Sequence, residues 1–111
     1  MTLQFLIGGE AVSAAGNRSF IRHDPVTGEV ATVAAAASVA DALKAVDAAA
    51  AAFPAWAKVG PVERRKLLNK AADIMDSKVG EFIAAGVAET GATGPWIGSQ
   101  IAEFALRAFG G

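Results

Sequence analysis

The sequence contains no cysteine and only one histidine among its 111 residues. The absence of cysteine excludes disulfide bonds and every metal site that needs a thiolate ligand. A single histidine cannot supply the paired imidazoles of a His-x-x-x-His metal motif. The sequence also has no Gly-x-Gly-x-x-Gly fingerprint and no Walker loop. We therefore expect no metal site in this chain, and no short motif of it marks a nucleotide phosphate site.

Charge of either sign is also scarce. Ten basic and eleven acidic residues give a formal net charge of −1. Such a chain has no electrostatic attraction for the phosphates of nucleic acid or for an anionic membrane surface. The alanine-rich stretch over residues 34–57 is too polar to cross a bilayer, because Asp41, Lys44 and Asp47 interrupt it. No signal-peptide pattern opens the chain, so we expect a cytoplasmic protein that binds neither nucleic acid nor membrane.

The chain is rich in apolar residues but poor in large ones. Hydrophobic residues make up 53% of the sequence, and alanine supplies much of that share. Burying a Leu, Ile or Phe contributes about 1.5–3 kcal/mol, whereas an alanine buries far less area. A chain of this length has room for one core. We expect that core to be thin, and we expect the chain to pack against more of the same polypeptide or against a partner subunit.

The first third of the chain is expected to form antiparallel strands over about residues 3–35. Leu3 to Ile7 and Glu10 to Ser13 flank the pair Gly8-Gly9, which is typical of a two-residue hairpin turn. A second extended pair, over residues 19–23 and 29–35, flanks the turn that Pro25 and Gly28 favour.

Four helices are expected to follow, over about residues 39–53, 61–77, 80–90 and 95–108. Ser38 has the capping hydroxyl for the first helix, with Asp41 three residues later, and Pro54 is expected to stop it. Pro61 starts the second helix, and Gly91 ends the third. The fold class is therefore predicted to be α+β.

Most polar candidates for chemistry have a simpler structural interpretation. His23 beside Asp24 could act as a general base, but nothing in the sequence supplies a nucleophile for it, so we expect a solvated residue at a strand end. The pair Gly8-Gly9 is not followed by a helix that could complete a phosphate site. The basic run at residues 64–66 is typical of the solvated face of an amphipathic helix.

Trp96, Gln100 and Phe104 are spaced four residues apart, so they project from one face of the last predicted helix. A buried glutamine amide costs a few kcal/mol unless it finds hydrogen-bond partners. A glutamine between two aromatic residues is therefore unusual for a core stripe. Two interpretations stay open for this face: it is part of a core or interface, or it lines a pocket.

Four blocks occur in a fixed order along the chain. They are Leu6-Ile7-Gly8-Gly9-Glu10, Asp24-Pro25-Val26-Thr27-Gly28-Glu29, Phe53-Pro54-Ala55-Trp56 and Glu89-Thr90-Gly91. Each block is weak by itself, but the set and its spacing resemble the N-terminal segment of the aldehyde dehydrogenase superfamily. Alanine at position 92, where lysine is common, and the sequence Gly94-Pro95-Trp96 resemble the branch that acts on aromatic aldehydes such as salicylaldehyde.

The resemblance implies that residues 1–111 form a single partial domain, the N-terminal part of a cofactor-binding domain within an α/β enzyme. It implies an enzyme that oxidises an aldehyde, of the aromatic kind, to a carboxylic acid with NAD or NADP. The family's nucleophile is a cysteine, which this sequence lacks, and no cofactor-binding residue can be assigned here. We therefore expect the chain alone to be inactive and to bind no cofactor.

The resemblance also places Trp96, Gln100 and Phe104 beside the substrate tunnel of the complete enzyme. The partners it implies are the aldehyde substrate, the remainder of the same enzyme and further copies in a homo-oligomer. An alternative is a non-enzymatic interaction module that docks on a full-length homologue or on another protein. A helical domain that binds a small molecule by itself is a third alternative, but no convergent polar groups support it.

Overall fold

The computed structural model describes the backbone of residues 1–109 and the side chains of residues 1–103. Four short strands and a 3₁₀ turn precede four helices. The elements are β1 (Phe5–Ile7), β2 (Glu10–Val12), the 3₁₀ turn (Ala15–Asn17), β3 (Ser19–His23), β4 (Val30–Ala35), α1 (Val39–Ala57), α2 (Pro61–Ser77), α3 (Val79–Thr90) and α4 (Gly94–Phe109). The predicted order of antiparallel strands followed by four helices is confirmed.

The chain divides into two compact units. The first contains residues 1–23 and 29–58, and the second contains residues 24–28 and the chain from residue 59 onward. The first unit holds all four strands and α1, and the second holds α2, α3 and α4.

The first unit contains two antiparallel hairpins. In the first hairpin, Phe5 pairs with Val12, and the turn between the strands has positive φ at Gly8 (62°) and Gly9 (84°). Paired glycines adopt this left-handed backbone without the strain that a Cβ would cause, so the predicted Gly-Gly turn is confirmed. In the second hairpin β3 pairs with β4. Leu3 bridges the two pairs, because its N–H donates to Val33 O at 2.8 Å and its carbonyl accepts from Ala35 N at 2.8 Å.

A buried carboxylate organises the start of α1. Asp41 is only 4% exposed. One carboxylate oxygen accepts from the Ser38 N–H at 2.9 Å and from the Ser38 hydroxyl at 2.8 Å, and the Asp41 N–H donates back to Ser38 Oγ. The Ala15 N–H also donates to the carboxylate at 3.2 Å. Asp41 therefore closes the predicted capping box and ties the 3₁₀ turn to α1.

The prediction that Pro54 ends α1 is wrong. The helix runs for 19 residues, to Ala57, with Pro54 inside it. A proline ring fixes φ near the helical value and removes only one N–H, the donor that would pair with the carbonyl four residues earlier. A helix that is already 15 residues long when it reaches Pro54 can continue past that lost bond.

The second unit follows the predicted helix boundaries closely. Pro61 occupies the first turn of α2. Gly91 ends α3 with a left-handed backbone (φ 70°), and its N–H donates to Val87 O at 2.9 Å. Helix α4 packs against both α2 and α3. Within α3, Ile83 and Val87 are half-buried, whereas Phe82 is 44% exposed.

The described side chains bury little apolar surface. Among the hydrophobic residues whose side chains are described, only Ala14 and Ala35 are buried, and no large side chain of that part of the chain is fully buried. Much of the apolar face of α1 is open to solvent, with Leu43 57%, Val46 62% and Phe53 65% exposed. The thin core expected from the composition is confirmed for the described residues. Surface of this kind is typical of a segment that other polypeptide covers.

Candidate functional site

The candidate site is on α4, and the contacts between α3 and α4 determine how it is presented. Gly86 of α3 faces Ile97 of α4 so closely that a Cβ on Gly86 would lie 2.9 Å from Ile97 Cγ2 and 3.1 Å from Ile97 Cδ1. Carbon atoms in van der Waals contact lie about 3.5–4.0 Å apart. Ile97 therefore occupies space that is open only because residue 86 has no side chain.

A second contact of the same kind runs in the opposite direction between the two helices. Ile83 of α3 lies over Gly94 and Gly98 of α4, where added Cβ atoms would lie 3.5 Å and 3.3 Å from its side chain. Each helix thus inserts an isoleucine against glycine on the other. The reciprocal arrangement lets the backbones approach closely, and the two contacts together set the rotation of α4 about its axis.

Trp96 and Gln100 lie on the side of α4 that turns away from this contact. The α4 residues that contact α3 are Gly94, Ile97 and Gly98. Because a helix advances 100° per residue, Trp96 lies about 150° and Gln100 about 110° around the helix axis from the mean direction of these three residues. Trp96 is 60% exposed, and Gln100 is also exposed. The described part of the chain does not bury either side chain, so neither belongs to a core formed by those residues. Phe104 falls in α4, but its side chain lies outside the described residues.

The corner that leads into α4 is held by the turn of residues 24–28. A Cβ on Gly91 would lie 3.0 Å from Val26 Cγ2 and 3.1 Å from Pro25 Cγ. The Asp24 carboxylate accepts from the Val26 N–H at 2.7 Å and from the Thr27 N–H at 3.2 Å. The turn is thus closed by its own hydrogen bonds and packs against the end of α3.

The other residues with candidate chemistry do not assemble a reactive site. His23 is exposed at the end of β3, and the carboxylate of its neighbour Asp24 caps the turn, which favours the structural interpretation of both. The Gly8-Gly9 turn leads into strand β2 and not into a helix. Within residues 1–103, no three carboxylate, imidazole or thiol side chains lie close enough to hold a metal ion.

The first unit has an open cleft of about 570 Å³ beside the N-terminal strand. Arg18 is its one charged side chain, and Gln4, Ser13 and Asn17 are among its polar ones. The Gln4 amide already donates to Ser13 Oγ at 2.8 Å. This lining has no carboxylate or imidazole for acid–base chemistry. None of the helices in the described part of the chain is long and apolar enough to cross a membrane.

The fold lowers the pKa of the Asp41 carboxyl group. Hydrogen bonds from the Ser38 backbone, the Ser38 hydroxyl and the Ala15 N–H hold the pKa of Asp41 below its ordinary value. The charged form is therefore the one the fold stabilises. A general base needs a pKa near the operating pH, so this carboxylate is structural.

Comparison with known proteins identifies the family. The sequence model of the aldehyde dehydrogenase family matches residues 12–107. The chain belongs to the aldehyde dehydrogenase family. A vanillin dehydrogenase of Pseudomonas sp. strain HR199 is 51% identical over 96 residues, which are 86% of this chain and 20% of that protein. A salicylaldehyde dehydrogenase of Pseudomonas sp. strain C18 is 41% identical over 101 residues, 91% of this chain and 21% of that protein.

A solved structure shares the fold of this aldehyde dehydrogenase segment. A salicylaldehyde dehydrogenase from Pseudomonas putida G7, complexed with salicylaldehyde, superposes with a TM-score of 0.90 at 41% identity, over 95% of this chain and 22% of that one. The chain therefore spans about a fifth of the length of the relatives it matches. The resemblance found in the four sequence blocks is confirmed, and so is the assignment of the strands and helices to part of the aldehyde dehydrogenase fold.

The contacts that present the α4 face were not predicted from the sequence. Gly86, Ile97 and the pair Gly94/Gly98 contain the relevant signal, since glycines four residues apart on a helix allow close backbone approach. The spacing alone does not identify which helix approaches, because that depends on the corner at Gly91.

Proposed function

We propose that this chain is the N-terminal segment of an NAD(P)-dependent aldehyde dehydrogenase that oxidises an aromatic aldehyde to its carboxylic acid. The identities of 51% with a vanillin dehydrogenase and 41% with a salicylaldehyde dehydrogenase are the observations that support the substrate class most strongly. In that reaction the aldehyde and water give the acid, and a hydride reduces NAD or NADP.

The chain by itself performs none of this chemistry. The family attacks the aldehyde with a cysteine thiolate, and the sequence has no cysteine. The sequence also has no Gly-x-Gly-x-x-Gly fingerprint, the motif that sets a dinucleotide pyrophosphate on a helix N-terminus. The nucleophile and the cofactor site therefore belong to the other four-fifths of the enzyme.

The role of this segment is structural support and one wall of the substrate tunnel. Trp96 and Gln100 are exposed, and they lie on the face of α4 that is turned away from α3. An indole ring can stack against an aromatic aldehyde, and an amide can hydrogen-bond its ring substituents. Phe104 extends the same row along the helix, and we assign it to the same wall.

We propose that the remainder of the same enzyme and, in the assembled protein, further subunits cover the apolar face of α1. The exposure of that face in this chain supports this proposal. Covering a half-exposed Leu43, Val46 or Phe53 would contribute about 1 kcal/mol or more per side chain. The alternative, a module that docks on a full-length homologue without an enzymatic role, draws on the same exposed surface.

A chimera tests the proposal. The whole of this chain replaces the homologous segment of the Pseudomonas sp. strain HR199 vanillin dehydrogenase, and NAD(P)H formation is followed with vanillin, salicylaldehyde and propanal. We expect turnover with a preference for the two aromatic aldehydes and no turnover by the 111-residue chain alone. A folded chimera without aldehyde oxidation would contradict the proposal. In that case, inhibition or stabilisation of the intact relative by the isolated chain would favour the docking module.

Two tryptophan variants of the chimera test the tunnel wall. Trp96→Ala is expected to raise KM for vanillin and salicylaldehyde about tenfold. Stacking of a nucleobase, a ring of similar size, on an aromatic side chain is worth about 1–3 kcal/mol. Trp56→Ala removes the other tryptophan, in α1, and is expected to leave the KM values unchanged. Equal effects of the two substitutions on every aldehyde would exclude a direct role for Trp96.

A further inference from the structure

We propose that Ile97 is a positioning residue for aldehyde selectivity, and that it acts through its close contact with Gly86. The inference rests on the proposed function, since it concerns how Trp96 and Gln100 are aimed at the substrate. Ile97 itself faces α3, on the other side of α4 from Trp96, so it does not touch the aldehyde. Its effect would be on the rotation of the helix that places both side chains.

The contact leaves no space for adjustment. Three atoms of the Ile97 side chain lie 2.9–3.2 Å from the position of a Cβ on Gly86. Two of these atoms, Cγ1 and Cγ2, are bonded directly to the Cβ of a β-branched residue, whose χ1 is strongly restricted in a helix. Ile97 has little freedom to change its rotamer, so a side chain at residue 86 must shift α4 relative to α3.

The neighbouring contacts explain why such a movement would be a rotation. Ile83 lies between Gly94 and Gly98 and contacts the first two turns of α4. The Ile97 N–H donates to Thr93 O at 3.1 Å, which ties the start of the helix to the corner after Gly91. With these points held, displacing Ile97 by a few tenths of an ångström turns the adjacent residue Trp96 about the helix axis.

The expected effect follows from the cost of misplacing a contact group. A 1 Å misplacement of a positioning group can cost about a hundredfold in rate, so a few tenths of an ångström corresponds to about three- to tenfold. The change should fall on aldehydes large enough to reach Trp96. It should spare propanal, which presents no ring to that wall.

The experiment uses the chimera and the ratio of kcat/KM for vanillin to kcat/KM for propanal. Gly86→Ala is expected to lower this ratio about three- to tenfold through KM for vanillin, with kcat for propanal unchanged. The matched control is Gly80→Ala in the same helix, where a Cβ meets nothing within 4 Å. The double variant Gly86→Ala/Ile97→Ala removes all three crowded atoms and is expected to return the ratio toward that of the parent chimera.

The outcomes separate this inference from the proposed function. If the unsubstituted chimera does not oxidise aromatic aldehydes, the proposed function fails and the inference fails with it. If it does, and Gly86→Ala lowers thermal stability but leaves the ratio unchanged, Ile97 is only structural and the inference alone is overturned. Should Gly86→Ala not fold, Ile97→Val, which deletes only Cδ1, must still shift the ratio about twofold, and an unchanged ratio would again overturn it.

Discussion

Gly91→Ala is the substitution whose cost follows most directly from the structure. Residue 91 has φ 70°, a left-handed conformation that costs an L-residue about 1–2 kcal/mol. The new methyl would also lie 3.0 Å from Val26 Cγ2 and 3.1 Å from Pro25 Cγ. Overpacking of this kind costs about 1–3 kcal/mol, so we expect the corner to lose about 2–5 kcal/mol.

The turn contains a matched control for the steric part of this cost. Gly28 also has positive φ (75°), but a Cβ there meets nothing within 4 Å. Gly28→Ala should therefore cost only the conformational part, about 1–2 kcal/mol. The difference between the two variants isolates the contact of Pro25 and Val26 with the end of α3.

Native-state hydrogen exchange of the chimera measures both losses locally. The amide of residue 91 donates to Val87 O, and the amide of residue 28 donates to Asp24 O. Since 1.4 kcal/mol is a factor of ten, we expect exchange at residue 91 to accelerate about 30-fold or more in Gly91→Ala. Exchange at residue 28 should accelerate about 5- to 30-fold in Gly28→Ala. Equal acceleration in the two variants would contradict the packing of Pro25 and Val26 against the end of α3.

Three further predictions concern α1, each measured by exchange of its amides in the chimera. Ser38→Ala removes the cap that accepts from the Asp41 N–H and should cost about 1 kcal/mol; no acceleration at that amide would contradict it. The pKa of Asp41 in the folded protein lies below its ordinary value of 3.8. The stability that the charged carboxylate adds to α1 should therefore be complete above pH 3.8 and be lost as the pH falls through the folded pKa. Asp41→Asn should remove this acid dependence. Pro54→Ala restores a donor for the Ala50 carbonyl and should stabilise α1 by up to about 3 kcal/mol. Amide exchange across the helix should slow accordingly. Faster exchange would show that the proline fits its site.

Local signals in the sequence were enough to predict the elements. Ser38, Pro61 and Gly91 each act within one turn of their own position, and the structure uses all three as helix boundaries. Pro54 misled because a proline signals a lost hydrogen bond, whereas the end of a helix depends on the stability of the whole segment. The second partner of Asp41, Ala15, is 26 residues away and left no local signal.

The site could be predicted only in part, because its geometry depends on contacts between helices. The four-residue spacing placed Trp96 and Gln100 on one face of α4, but it could not tell a core from an exposed wall. The structure shows them exposed, with the opposite face of α4 turned toward α3 at Gly86. The apolar side chains of α1 are likewise left exposed by the described residues.

The most direct test of the central claim is a comparison of NAD(P)H formation from vanillin by the isolated chain and by the chimera that contains it. An aldehyde dehydrogenase segment without a cysteine should form no NAD(P)H from vanillin by itself. The chimera should form NAD(P)H, because the rest of the enzyme supplies the nucleophile and the cofactor site. Oxidation of vanillin by the isolated chain, or a correctly folded chimera that oxidises no aldehyde, would contradict the account.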